Sequence, residues 1–102
     1  MKITQMEYIP ASKYLFLKIH TNEGITGIGE VGVWGYLDGA LGVLKKLEAY
    51  LIGQDPRRIE HHWQYMYRSM YFRGSIIMSA IAAVDIALWD IKGKALGVPV
   101  YE

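Results

Sequence analysis

A chain of 102 residues is the size of one domain, and with 52% hydrophobic residues it carries more apolar surface than so small a domain buries by itself. Eleven Lys and Arg against ten Asp and Glu leave a net charge of +1, which excludes a basic nucleic-acid or membrane-surface binder. The lack of cysteine excludes disulfide scaffolds and Cys-based zinc sites, and makes a reducing cytoplasm the expected compartment.

The start Met1-Lys-Ile-Thr-Gln-Met-Glu7 lacks the apolar core of a secretory signal. Ile3–Ile9 reads as a first strand stopped by Pro10. Leu15–Thr21 is a second strand, with Leu15, Leu17 and Ile19 alternating against Phe16, Lys18 and His20. Thr21-Asn-Glu-Gly24 is a turn in which Gly24 takes a positive φ, and Ile25–Glu30 returns as a third strand. Three strands with short links predict an antiparallel meander.

Val31–Leu37, with two glycines and two large aromatics, reads as a loop. Asp38 is the expected cap of a helix running to about Leu51, with Leu41, Leu44, Leu47 and Leu51 at helical spacing and Gly53 after its end. Asp55-Pro56 then restarts a helix as N-cap and first residue. Its stripe of Ile59, Trp63, Met66 and Met70 is expected to pack on the sheet. Arg73-Gly74-Ser75 breaks that helix and a third follows, stopped by Gly97-x-Pro99. From Ile76 to Leu88 it is apolar almost all round, too short for a membrane span and interrupted by Asp85. Such a helix needs protein on every side, so the chain is expected to be part of something larger. The order predicts an α+β domain.

Several patterns invite chemistry. Gly27-Ile-Gly-Glu-Val-Gly32 matches the dinucleotide fingerprint G-x-G-x-x-G, yet that site needs a helix N-terminus directly after the glycines and a parallel βαβ unit. The glycines are read instead as places where a strand bends or another backbone approaches. His61 and His62 point about 100° apart on a helix and cannot share one ion as an i, i+4 pair does, so both are read as solvated or interface histidines. Asp85 is expected in a structural ion pair or capping a backbone group, and Asp90 with Lys94 in an i, i+4 surface pair. Trp63, Tyr65, Tyr67, Tyr71 and Phe72 are read as core and interface rather than a base-stacking platform. No Ser-His-Asp, Cys-His or paired-carboxylate arrangement has workable spacing, so no catalytic or metal-ligating residue is assigned.

The run Ala80-x-Ala-Ala-x-Asp85-x-Ala-Leu-x-Asp90-Ile-x-Gly-Lys94-x4-Pro99-Val resembles the signature of the mandelate racemase/muconate-lactonising branch of the enolase superfamily. Met1-Lys-Ile-Thr, Phe16-Leu-Lys-Ile-x-Thr-x-Glu-Gly24, Gly27-x-Gly-Glu30, Tyr50-Leu-Ile-Gly-x-Asp-Pro-Arg57 and Trp63-Gln-x-Met-Tyr-Arg68 agree, and together they are similar to acid-sugar dehydratases of the galactonate and mannonate type. The resemblance implies that residues 1–102 are an N-terminal capping domain, a three-stranded meander plus three helices, over the mouth of a C-terminal (β/α) barrel absent from this chain. It implies a Mg²⁺-dependent enzyme that removes the proton α to a carboxylate and eliminates water, with Mg²⁺ and all acid/base residues on the barrel. A racemase or cycloisomerase of the same branch is the alternative; a free-standing α+β interaction module is the alternative from another class.

The implied partners are the chain's own barrel, a small acid-sugar carboxylate and further copies in a homo-oligomer, with no nucleic acid and no membrane. The cap's implied part is substrate selection by the loops at Pro10–Tyr14 and Val31–Leu37, with Lys13, Tyr14, Trp34 and Tyr36 as candidate substrate-binding residues. Trp34 and Tyr36 stand where these relatives are expected to carry polar residues, so the identity of the substrate is not carried over.

Overall fold

The computed structural model describes residues 1–32, 36–69 and 74–99. β1 (Ile3–Ala11), β2 (Tyr14–Thr21) and β3 (Thr26–Val31) form an antiparallel sheet in the order β1-β2-β3, followed by α1 (Leu37–Leu51), α2 (Ile59–Arg68) and α3 (Ser75–Leu96). This is the α+β order expected. Period-2 alternation decides which face of the sheet is covered: Leu15, Leu17, Ile19 and Thr21 are buried, and the residues between them are half-exposed. α3 lies directly on β3 and β2, while α1 and α2 pack on α3. Leu44, Leu47 and Leu51 from α1, Ile59 and Met66 from α2, and Ile81, Val84, Leu88 and Ile91 from α3 meet the sheet residues in one core.

Four local expectations are corrected. Pro10 does not end β1: the strand runs through it to Ala11, with Pro10 opposite Leu15, because an edge strand tolerates a residue that cannot donate outward. Asp55 caps a turn, accepting from the Arg57 backbone N–H at 2.9 Å, and α2 starts at Ile59 with Arg58 in the N-cap position. Asp38 lies in the first turn of α1, behind an N-cap at Tyr36 that makes no side-chain bond. The α2 stripe packs chiefly on α3 rather than on the sheet; Met70, its fourth member, lies outside the described residues.

The glycine motif is a backbone contact. A Cβ on Gly29 would lie 2.1 Å from the Ala83 carbonyl oxygen, and one on Gly27 2.1 Å from that of Ala87 and 2.7 Å from Ile91 Cγ1. Ala83 and Ala87, one helical turn apart, present the matching small residues. The sheet is wholly antiparallel and Gly27 and Gly29 lie inside its third strand, so the geometry of a dinucleotide site is missing.

α3 also supplies what the free edge of β3 lacks. Asp90 Oδ2 accepts from the Ile28 backbone N–H at 3.0 Å, Lys94 Nζ donates to the Thr26 carbonyl at 2.7 Å, and Ser79 Oγ accepts from the Gly32 N–H at 3.0 Å. The expected Asp90–Lys94 pair is present at 3.1 Å, and it also shields an open strand edge. α3 ends in a left-handed Gly97 (φ 71°), with Val98 N–H bonded to the Gly93 carbonyl and Gly97 N–H to that of Lys94, the two bonds of a Schellman stop.

Candidate functional site

The tip of the β1–β2 hairpin and the start of α1 come together. Ala11 pairs with Tyr14, leaving Ser12-Lys13 as a two-residue turn, and Ser12 has φ 58°, in the left-handed region rarely used outside glycine. This turn carries Lys13 to an open cleft of about 460 Å³ that it shares with Tyr36, Leu37, Asp38 and Gly39. The Lys13 ammonium lies 5.8 Å from the centre of the Tyr14 ring, and Tyr14 lies 6.3 Å from Phe16.

The electrostatics of this cleft follow from the helix start. Among the described residues no side chain caps α1, so the positive end of its dipole lies at the cleft that Lys13 also lines. Among the described residues that line the cleft, Asp38, in the same turn, carries the opposing charge. Tyr36, 63% exposed, gives the cleft an aromatic wall. An anionic group with an apolar or hydroxylated body suits such a surface. Of the four residues singled out in the sequence, Lys13 and Tyr36 line the cleft and Tyr14 adjoins it through Lys13; Trp34 lies outside the described residues. Leu37, Asp38 and Gly39, which also line the cleft, are not among the four. The start of α1 was legible in the sequence, but its approach to the hairpin tip was not.

The other sequence candidates are dispersed. His61 is exposed, in a broader open cleft of about 510 Å³ with Gln64, Tyr65, Arg68 and Ser69 along α2. His62, expected to be solvated or at an interface, is fully buried. Its Nε2–H donates to the Asp55 carbonyl at 2.7 Å, which leaves Nδ1 to accept the Tyr50 hydroxyl at 2.7 Å. Burial pushes the His62 pKa below its usual value and holds the ring neutral. Tyr50 in turn stacks on Tyr65 at 3.8 Å, so this histidine ties α1 and α2 together.

Among the described residues, Asp85 makes neither the ion pair nor the cap expected of it. The Tyr8 hydroxyl is bonded to Glu48, and burial together with this acceptor pushes its pKa upward. Among the described residues, no three of His, Cys, Asp or Glu converge as metal ligands. Nor, among them, is any helix long and apolar enough to cross a membrane.

The chain is 55% identical over its whole length to a D-galactonate dehydratase of Verminephrobacter eiseniae and 54% identical to one of Xanthomonas campestris, and spans 27% of each. Among solved structures it superposes on a member of the enolase superfamily from Salmonella Typhimurium with a TM-score of 0.92 at 42% identity, over 98% of this chain and 28% of that one. An enolase from Agrobacterium radiobacter, solved with Na and L-malate bound, gives a TM-score of 0.92 at 34% identity, over 99% and 27%. Residues 3–102 match the profile of the mandelate racemase / muconate lactonizing enzyme N-terminal domain, and the chain belongs to that family.

Proposed function

We propose that residues 1–102 are the capping domain of an acid-sugar dehydratase and that the cleft between the β1–β2 turn and the α1 start selects the substrate. The observation that carries this reading is the convergence of Lys13 with an uncapped helix N-terminus. Both favour a carboxylate, and the D-galactonate dehydratases to which the chain is similar act, by name, on a sugar carboxylate. Tyr14 and Tyr36 would shape the wall that excludes water from the substrate. Mg²⁺ and the acid/base groups belong, on this reading, to the barrel that follows the cap; within that enzyme, Mg²⁺ would stabilise the charge that develops when the α-proton leaves.

The test joins this chain to the remainder of the Verminephrobacter eiseniae D-galactonate dehydratase, in place of the region it matches. The joined protein should dehydrate an acid sugar. Lys13→Ala should raise KM about tenfold or more, with a smaller effect on kcat, as expected for a lost charge-assisted contact made about equally in the ground and transition states. A joined protein that racemises or cycloisomerises its substrate would replace dehydration by the alternative activity. A Lys13→Ala variant with unchanged KM would remove the cleft from substrate binding.

A further inference from the structure

The charged groups on the outer half of α3 are paired, with one exception. Asp90 holds Lys94 and the Ile28 N–H, and Lys92 lies 4.8 Å from the centre of the Trp89 ring. Asp85 has no hydrogen bond and no ion pair among the described residues. Its carboxylate is half-buried in an open cleft of about 340 Å³ between α2 and α3, lined by Ile59, Glu60, Trp63, Asp85 and Trp89. The charged group facing it from α2 is another acid, Glu60, which accepts from Gln64 Nε2 at 3.4 Å. Burial, and then Glu60, push the Asp85 pKa upward, so in this chain alone the site opposes its own ionisation.

The surroundings point to what is missing. At 100° per residue, Ala82, Asp85, Ile86, Trp89 and Leu96 share one ~100° arc of α3. Ile86 is 54% exposed, Trp89 40% and Leu96 66%, an apolar band far more open than the buried side of the same helix. An apolar band with unpaired acids at its margin and two indole walls complements a surface that brings apolar side chains and one cation. A guanidinium fits best, since it stacks on an indole face and reaches two carboxylates at once. The source follows from the comparisons: the curated relatives devote only 27% of their length to the part matched here, so most of each enzyme lies beyond it.

We propose that Asp85, backed by Glu60 and walled by Trp63 and Trp89, receives an arginine side chain from the polypeptide that follows this segment in the complete enzyme, with Ile86 and Trp89 packing around the pair. The proposal rests on the capping-domain reading above and names the contact that fastens the cap to the rest.

The diagnostic is a change of sign. In the 102-residue chain alone, Asp85→Asn and Asp85→Leu remove an unpaired, partly desolvated charge and should raise the thermal midpoint or leave it unchanged. In the protein joined to the remainder of the Verminephrobacter eiseniae enzyme, the same substitutions orphan the incoming guanidinium. They should lower the midpoint by about 2–4 °C and loosen α3 to hydrogen exchange by about tenfold or more. Glu60→Gln should follow Asp85→Asn in direction with a smaller effect. A joined protein that unfolds as a unit, with Asp85→Asn acting in the same direction as in the chain alone, overturns the assignment of Asp85 by itself. A joined protein whose two parts unfold independently overturns both this contact and the capping reading on which it rests.

Discussion

Gly29→Ala is the sharpest test of the way this domain is held together. The added Cβ would lie 2.1 Å from the Ala83 carbonyl oxygen, 2.9 Å from its carbonyl carbon and 3.2 Å from its Cα. All three are helix backbone, so no side chain can swing aside. Ordinary contact begins near 3.4 Å, and α3 and β3 must therefore part locally by about 1.3 Å. A gap of 0.5–1 Å already forfeits roughly a quarter to a half of each dispersion contact across it. Overpacking of this kind costs about 1–3 kcal/mol and more where backbone must move.

Against that, alanine loses less backbone entropy than glycine on folding, a gain of roughly 0.5–1 kcal/mol. The clash wins, and with its cost at the upper end the expected net loss is about 2 kcal/mol, a large share of the ~5–15 kcal/mol that stabilises a domain of this size. Urea unfolding followed by far-UV circular dichroism measures it, with Gly42→Ala as control. Gly42 lies inside α1, a Cβ there meets nothing within 4 Å, and the same substitution should stabilise by about 1 kcal/mol. If Gly29→Ala unfolds within about 0.5 kcal/mol of the parent at unchanged m-value, the close backbone contact is refuted.

Two further outcomes concern polar groups. His62 has a folded-state pKa below its unfolded value, so the unfolded chain takes up the proton first and stability should fall as pH drops below ~6.5. His62→Gln should flatten that part of the pH profile measured by chemical denaturation, and an unchanged profile would show that another group governs it. Asp90→Ala strips the Ile28 N–H and Lys94 of their partner and should cost about 1 kcal/mol, discounted for partial exposure. It should also raise concentration-dependent aggregation by uncovering the β3 edge. Asp90→Asn keeps an acceptor and should recover most of the loss; equal behaviour of the two variants would mean that the charge, not the edge contact, matters.

Much of the fold was readable residue by residue because its signals are local. The 2-residue alternation of Leu15, Leu17 and Ile19 and the leucine spacing from Leu41 to Leu51 each reflect one side of an element meeting the core. The stop at Gly97 reflects a single backbone conformation. The boundaries that differ depend on what lies around them: Pro10 is tolerated inside β1 because that strand is an edge, and a turn separates Asp55 from α2. The burial of His62 is not legible in the sequence, because it depends on what α1 brings to it, namely Tyr50.

The amino-acid sequence by itself determined the element order, the α+β class, the core stripes and the family, since these depend on side-chain periodicity and on motifs contiguous along the chain. It also marked Asp85 as an acid inside an apolar helix, and the family resemblance singled out Lys13 and Tyr36 in the two capping loops. Only the tertiary structure decided what those residues face. Lys13 meets the N-terminus of α1 across more than twenty intervening positions, Gly29 meets Ala83 across more than fifty, and Asp85 faces Glu60 rather than a cation. Periodicity reports which side of an element turns inward, but the identity of the group waiting there is set by how distant elements cross.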